Sequence, residues 1–243
     1  MDRNIAIVLA AGKGSRMNSD IPKPLHIIND KTMIYTLVEK LYNSNLFEQI
    51  LIVVGVNSNS IRNNLDDFKS KIVYIIQKEQ LGTGHAVACC QNYLRGYRNY
   101  RSLILFADCP LLSSDTINSI LKDDVECLAC ICEKDNPYGS GRILLNKNGY
   151  IIESIEEKDC TPEQKNIKLV NVGIYLIKNV LIINNIRKIK NNNSQNEYYL
   201  PDLIMILSNQ GHLVIPKLLK NQNELININT QRDLLMANSV RRF

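Results

Sequence analysis

No apolar run in the 243-residue chain approaches the roughly 20 residues that a membrane-spanning helix needs. The first such run begins after Met1-Asp2-Arg3-Asn4 and stops at Gly12. It carries no cleavage-site pattern, so no secretory leader and no membrane contact are expected. The 7 cysteines are an odd number in a chain long enough to bury a core unaided. Free thiols and a cytoplasmic setting follow as expectations. Cys127, Cys130 and Cys132 resemble the start of a zinc site. No His or second Cys pair follows at ligand spacing, and the stretch 125–132 reads as a strand, so core packing is the favoured reading. Histidines number only 3, which leaves little for imidazole chemistry. The net charge is +5, with Lys and Arg scattered rather than striped. That excludes a nucleic-acid-binding face and suits small anionic ligands. No internal repeat is present.

What is present alternates. Continuous apolar runs at 5–10, 50–54, 72–76 and 103–107 predict buried strands. Helical spacing follows or precedes them at 33–41, 60–68, 84–94 and 115–121. That pattern predicts an α/β fold: a Rossmann-like, open, mostly parallel sheet with helices on both faces. Ligands of such sheets sit outside the carboxyl ends of the strands. Beyond residue 135 the character changes. Runs at 142–145 and 150–155 flank Asn146-Lys147-Asn148-Gly149 and predict a hairpin. A further strand is expected at 169–177, with helices near 200–209 and 231–237. The polar stretch 187–196 is expected to be a mobile loop. One domain is predicted, with 1–135 the first half and 136–243 a mixed second half.

The first strand empties into Leu9-Ala10-Ala11-Gly12-Lys13-Gly14-Ser15-Arg16-Met17. Small residues let backbone N–H groups approach phosphate oxygens, and Lys13 and Arg16 add charge. A Walker A loop fails, because its Lys and Ser/Thr must follow the second Gly. A dinucleotide fingerprint fails twice, at Met17 and at Gly55-Val56-Asn57. A triphosphate loop of the nucleotidyltransferase kind remains, beside a bare β–α turn with no ligand. In Ile21-Pro22-Lys23-Pro24-Leu25 two prolines frame one lysine. As a loop residue Lys23 is expected to be exposed and to matter little for folding. The rigid frame aims it at an anion.

Further segments fall in a telling order: Gln77-Lys78-Glu79-Gln80-Leu81-Gly82-Thr83-Gly84-His85-Ala86, Phe106-Ala107-Asp108-Cys109-Pro110-Leu111 and Gly141-Arg142-Ile143. Ile155-Glu156-Glu157-Lys158-Asp159, Val170-Asn171-Val172-Gly173-Ile174-Tyr175 and Asn196-Glu197-Tyr198-Tyr199-Leu200-Pro201-Asp202 follow. Over nearly its whole length the chain resembles the N-terminal uridylyltransferase domain of bacterial bifunctional N-acetylglucosamine-1-phosphate uridyltransferase/glucosamine-1-phosphate acetyltransferases. The resemblance implies a nucleotide-diphospho-sugar transferase fold and a Mg²⁺-dependent transfer of UMP from UTP to N-acetylglucosamine 1-phosphate. UDP-N-acetylglucosamine and pyrophosphate would be the products. It implies that Leu9, Ala10, Ala11, Gly12, Gln77, Gly82 and Thr83 hold the uridine. Lys13, Arg16 and Lys23 would hold phosphates, with Lys23, Arg16 and Asp108 catalytic. Gly141, Glu156 and Asn171 would touch the sugar, and Asp108 with Asn229 would hold the metal. Asn229 precedes a predicted helix and could instead be its N-cap.

Three residues depart from the family pattern: Ala107 for Gly, Ser140 for Tyr, and Pro201 for Thr or a similar residue. Ser140 is expected to loosen the sugar pocket. His26 is expected to pack or cap, His85 to be structural and His212 to lie at the surface. The family's hexapeptide β-helix is not read in this sequence, so acetyl transfer and trimerisation are not expected, and a monomer or weak dimer is. Another sugar 1-phosphate or triphosphate, as in thymidylyl or guanylyl transfer, is the alternative. A nucleotide-sugar glycosyltransferase typically carries Asp-x-Asp, which is absent. A non-catalytic sensor would have no use for Lys23 and Asp108.

Overall fold

The computed structural model describes residues 3–12 and 14–240. In chain order its elements are β1 (Asn4–Leu9), β2 (Ile27–Ile28), β3 (Lys31–Thr32), α1 (Met33–Asn43), β4 (Phe47–Val54), α2 (Asn59–Asn64) and β5 (Ile72–Ile76). Next come α3 (Thr83–Cys89), α4 (Gln91–Leu94), β6 (Arg101–Phe106), α5 (Ser114–Leu121) and β7 (Cys127–Glu133). The chain closes with β8 (Arg142–Leu145), β9 (Ile151–Ile155), β10 (Leu169–Lys178), α6 (Asn179–Asn185), α7 (Asp202–Asn209), β11 (Val214–Leu218) and α8 (Gln231–Ser239). Among the described residues no helix is long and apolar enough to cross a membrane.

β1, with its Ile-Ala-Ile-Val-Leu run, is buried throughout, as β-branched side chains covered on both faces require. The main sheet runs β11-β7-β10-β6-β1-β4-β5. β6, β1, β4 and β5 are parallel. β10 inserts antiparallel between β6 and β7, and the β8–β9 hairpin hangs from it. The two halves thus share one sheet. Successive residues of a strand face opposite sides, so each strand feeds two cores. Ala6 and Val8 join one with α1 and α5, and Ile5 and Ile7 join the other with α3, α6 and α7.

That alternation also separates the three β7 cysteines. Cys127 packs in one core, while Cys130 and Cys132 pack in the other. They cannot close on one ion, and burial raises each thiol. All seven cysteines are free thiols.

The stretch 187–196 is tied down rather than loose, which corrects the compositional expectation. Arg187 Nε donates to Gln91 Oε1 at 2.6 Å, Asn193 Nδ2 donates to the Glu197 carbonyl at 2.6 Å, and Ile189 is buried. Polar composition signalled solvent, but these side chains bond to α4, to α6 and to nearby backbone.

The chain moves outward from β1 to β4 and β5, then crosses back to β6 on the other flank of β1. Between β1 and β6 the order reverses. The loops leaving their carboxyl ends diverge there and leave a crevice.

Candidate active site

Both loops at this crevice carry the expected residues. After β1, Ala10 N–H still bonds the Val53 carbonyl at 2.8 Å, and the chain then turns through Gly12 and Gly14 into a 3₁₀ turn, Ser15–Met17. Gly14 has φ 63°, and a Cβ there would stand 2.6 Å from Lys23 Cβ. Only glycine lets the Lys23 segment pass this close. Lys13 lies outside the described residues.

After β6, Ala107 N–H bonds the Leu9 carbonyl at 3.0 Å. Its φ is not positive, so the departure from Gly carries no backbone strain. Asp108 follows. Lys23 Nζ donates to Asp108 Oδ2, and also to Asn229 Oδ1 at 2.9 Å. Arg16 donates to the same Asn229 oxygen at 2.9 Å. Residues far apart in sequence thus meet at one point: two cations, one carboxylate and one amide oxygen.

This corrects one expectation and removes one alternative. The Lys23 side chain is only 15% exposed and that of Asp108 16%, so Lys23 is not a solvated loop lysine. Asn229 is not the cap of α8. Thr230 is, in a capping box with Asp233, and the Asn229 side chain is left to face Lys23 and Arg16.

A cavity of about 480 Å³ opens over this point, lined by Leu9, Ala10, Ala11, Gly12, Arg16, Lys23, Gln77, Gly82, Thr83, Asp108 and Asn229. That volume lies in the range of small-molecule sites. Its far wall comes from β5 and α3. Gln77 Nε2 donates to the Gly82 carbonyl and to His85 Nδ1, both at 3.1 Å, which leaves Oε1 as the amide's remaining acceptor. His85 is therefore tied into the loop, in keeping with a structural role. Gly82 has φ 111°, and a Cβ there would lie 2.6 Å from the Tyr198 carbonyl. The reason is a backbone clasp: Gly84 N–H bonds the Tyr198 carbonyl at 2.7 Å, and Tyr198 N–H bonds the Leu81 carbonyl at 2.8 Å.

A second cavity of about 260 Å³ adjoins the first and shares Arg16, Thr83, Phe106, Asp108 and Asn229 with it. Gly141, Glu156 and Asn171 line it. They converge: a Cβ on Gly141 would lie 3.6 Å from Glu156 Oε1 and 3.7 Å from Asn171 Cβ. Burial first, then Asp202, Asp159 and Glu197, push the Glu156 carboxyl up. Burial and then Asp159 and Glu153 raise Asp202 to about 6.

Ser140 does not leave this wall loose. Lys134 donates to its hydroxyl at 3.0 Å. The buried Arg142 guanidinium donates to its carbonyl and pairs with Glu157 at 2.7 Å. Pro201 also lines this cavity. His26 is buried behind a 3₁₀ turn, Lys23–Leu25, with its N–H on the Lys23 carbonyl at 3.3 Å. His212 is partly exposed, 3.4 Å from Glu126.

Three of the lining residues that sequence reasoning missed carry polar groups suited to a ligand. Glu197 and Gln80 face the first cavity, and both sit inside motifs already noted. Tyr175 lines the second. It read as one more apolar-phase residue of a strand, and nothing in its pattern separates a buried ring from a polar tip.

Asp108 and Asn229 fit a magnesium ion. The donors are one carboxylate and one amide oxygen, hard ligands in the small number that Mg²⁺ takes from protein. One ammonium, Lys23 Nζ, bonds both oxygens, so a single cation reaches the pair.

Comparison with known proteins places the chain in a family. Residues 6–165 match the MobA-like NTP transferase domain. Over 241 residues the chain is 34% identical to the bifunctional protein GlmU of Clostridium novyi (strain NT), covering 98% of this chain and 52% of that protein. Over 246 residues it is 39% identical to a protein of Acanthamoeba polyphaga mimivirus named a probable UDP-N-acetylglucosamine pyrophosphorylase, covering 96% of this chain and 94% of that one. The chain therefore spans about half the length of its bifunctional relatives and nearly all of the viral one. In fold it resembles a UDP-glucose pyrophosphorylase solved with UDP-glucose, with a TM-score of 0.76 at 19% identity over 98% of this chain and 97% of that one. A doubly wound sheet, a cationic loop at its switch point and a matching family model over most of the chain lead to one assignment: the protein belongs to the MobA-like NTP transferase family.

Proposed function

We propose that the protein transfers UMP from UTP to N-acetylglucosamine 1-phosphate, releasing pyrophosphate. The observation that carries this is the junction of the two cavities, where Lys23, Arg16, Asp108 and Asn229 meet. Identity to the bifunctional and viral relatives supports the choice of sugar and base.

The sugar phosphate attacks the α-phosphorus of the triphosphate in line, and pyrophosphate leaves. The nucleophile is already an ionised oxygen, so no general base is required. The site accordingly has no imidazole at the junction. Its task is to bring two polyanions together and hold them aligned. Lys23 and Arg16 supply positive charge, and their side chains would exchange Asn229 for phosphate oxygens. Asp108 and Asn229 would hold Mg²⁺, which when bound neutralises the crowded phosphates and orients them. Gln77 Oε1 offers an acceptor for a base N–H, and the tight backbone at Gly82 gives that base a flat wall. Glu156, Asn171 and Gly141 would bind the sugar.

The test is a panel of nucleoside triphosphates with N-acetylglucosamine 1-phosphate and Mg²⁺, with the products identified. UTP is expected to be used far better than dTTP, GTP or ATP, giving UDP-N-acetylglucosamine. Preference for dTTP or GTP would overturn the assignment of the base.

A further inference from the structure

The amide of Asn171 is held in one orientation, and the polarity of that orientation is forced. Gly173 N–H lies 2.8 Å from Asn171 Oδ1. A backbone N–H can only donate, so the oxygen faces Gly173 and the nitrogen faces the other way. Asn171 Nδ2 then donates to Ser154 Oγ at 2.9 Å and to Tyr175 Oη at 2.6 Å. Both of its hydrogens are committed, and what Asn171 keeps for a ligand is acceptor capacity at Oδ1.

The backbone is shaped to permit this. The pairing of β10 with β7 slips between Asn171 and Tyr175. Gly173, at φ 82°, takes up the slip, and a Cβ there would press on the Phe106 ring at 3.1 Å. The bulge folds the strand back so that residues 171 and 175 meet. Tyr175 is 1% exposed and Ser154 6%. A buried pair of hydroxyls at this spot costs free energy unless bonded, and the Asn171 amide donates to both oxygens.

We propose that Tyr175, with Ser154, is a positioning residue for sugar recognition: it fixes the Asn171 amide so that Asn171 meets the sugar 1-phosphate as a hydrogen-bond acceptor. The inference rests on the reading of this cavity as the sugar site. It makes the partner of Asn171 a donor, an N–H or O–H of the sugar. It also gives the β10 bulge a purpose beyond sheet geometry.

Tyr175→Phe keeps the ring and removes the hydroxyl. Steady-state kinetics on the whole chain should show KM for the sugar 1-phosphate rising about tenfold, the worth of one hydrogen bond. KM for UTP should stay within about twofold, because a merely structural loss would move both. Ser154→Ala tests the same amide from the other side and covers the case in which the tyrosine variant folds poorly. The double variant should lose less than the product of the two single effects, since both hold one group. Wild-type turnover of N-acetylglucosamine 1-phosphate checks the functional reading by itself. The Tyr175 comparison is made on whichever sugar 1-phosphate the wild type uses best. An unchanged sugar KM in both single variants, or a UTP KM that rises in step, would overturn the assignment.

Discussion

Lys23 sits where two demands coincide. Without ligands its ammonium neutralises Asp108 and bonds Asn229, and with ligands a phosphate would compete for it. Lys23→Ala therefore acts twice. A charge-assisted phosphate contact made chiefly in the transition state is worth about 1.5–3 kcal/mol, so kcat/KM should fall roughly 10- to 150-fold. Asp108 is also left partly buried and unpaired, which should cost about 1–3 kcal/mol of stability. Thermal unfolding of the ligand-free variant checks the second effect, and adding Asp108→Asn should recover part of it. An unchanged melting temperature would mean that the ion pair contributes nothing to the fold. Asp202 offers a test by pH. Its folded pKa, about 6, lies above the ordinary value of 3.8. Between those values the folded state binds more protons than the unfolded one, so stability falls as pH rises through that window. Asp202→Asn removes the ionisation. The variant should be more stable than wild type at pH 8 and lose that advantage near pH 4. An advantage that is constant with pH would place the cause in packing instead.

At the scale of elements, α8 separates two roles that one sequence stretch confuses. In Asn229-Thr230, either residue could cap the helix by type. The cap is Thr230, whose hydroxyl accepts from Asp233 N–H at 3.2 Å while Asp233 accepts from Thr230 N–H at 2.8 Å. Thr230→Ala should cost about 1 kcal/mol of stability and leave the Mg²⁺ dependence of the rate unchanged. Asn229→Ala should do the reverse, raising the Mg²⁺ concentration for half-maximal rate with little thermal penalty. The opposite pairing of effects would return Asn229 to a structural role. The same stretch shows what was legible in advance. The parallel strands β1, β4, β5 and β6 announced themselves as continuous apolar runs too short for buried helices. β11 did not: Pro216 in Val-Ile-Pro-Lys-Leu argues against a strand, and the structure tolerates it because β11 lies at the sheet edge. α6 was hidden by Val180, Leu181, Ile182 and Ile183, an apolar run that continues β10 in composition. Its first residue is Asn179, whose side chain bonds the Tyr97 carbonyl and Ser102, a long-range contact with no local signature. The antiparallel insertion of β10 was equally illegible, since a hydrophobic pattern has no direction.

At the scale of the molecule, the sheet joins two half-sites. β1 and β5 lead into the wall of the first cavity, β8 to β10 into that of the second, and β6 ends between them at Asp108. Because β10 is hydrogen-bonded to β6, the two walls are not free to hinge at that strand. The chemistry at the junction came through in the sequence as residue types. The ring of contacts around it did not, because each contact joins residues far apart in the chain: Arg16 to Asn229, Lys23 to Asp108 and Gly82 to Tyr198. The central claim is that this junction serves an amino-sugar phosphate. It is tested most directly by the rate of pyrophosphate release with UTP and Mg²⁺, comparing N-acetylglucosamine 1-phosphate with glucose 1-phosphate. A site whose polar groups are built for one sugar penalises an analogue that leaves them unpaired, so a much larger kcat/KM is predicted for N-acetylglucosamine 1-phosphate. Equal values for the two sugars, or release with neither, would contradict the account.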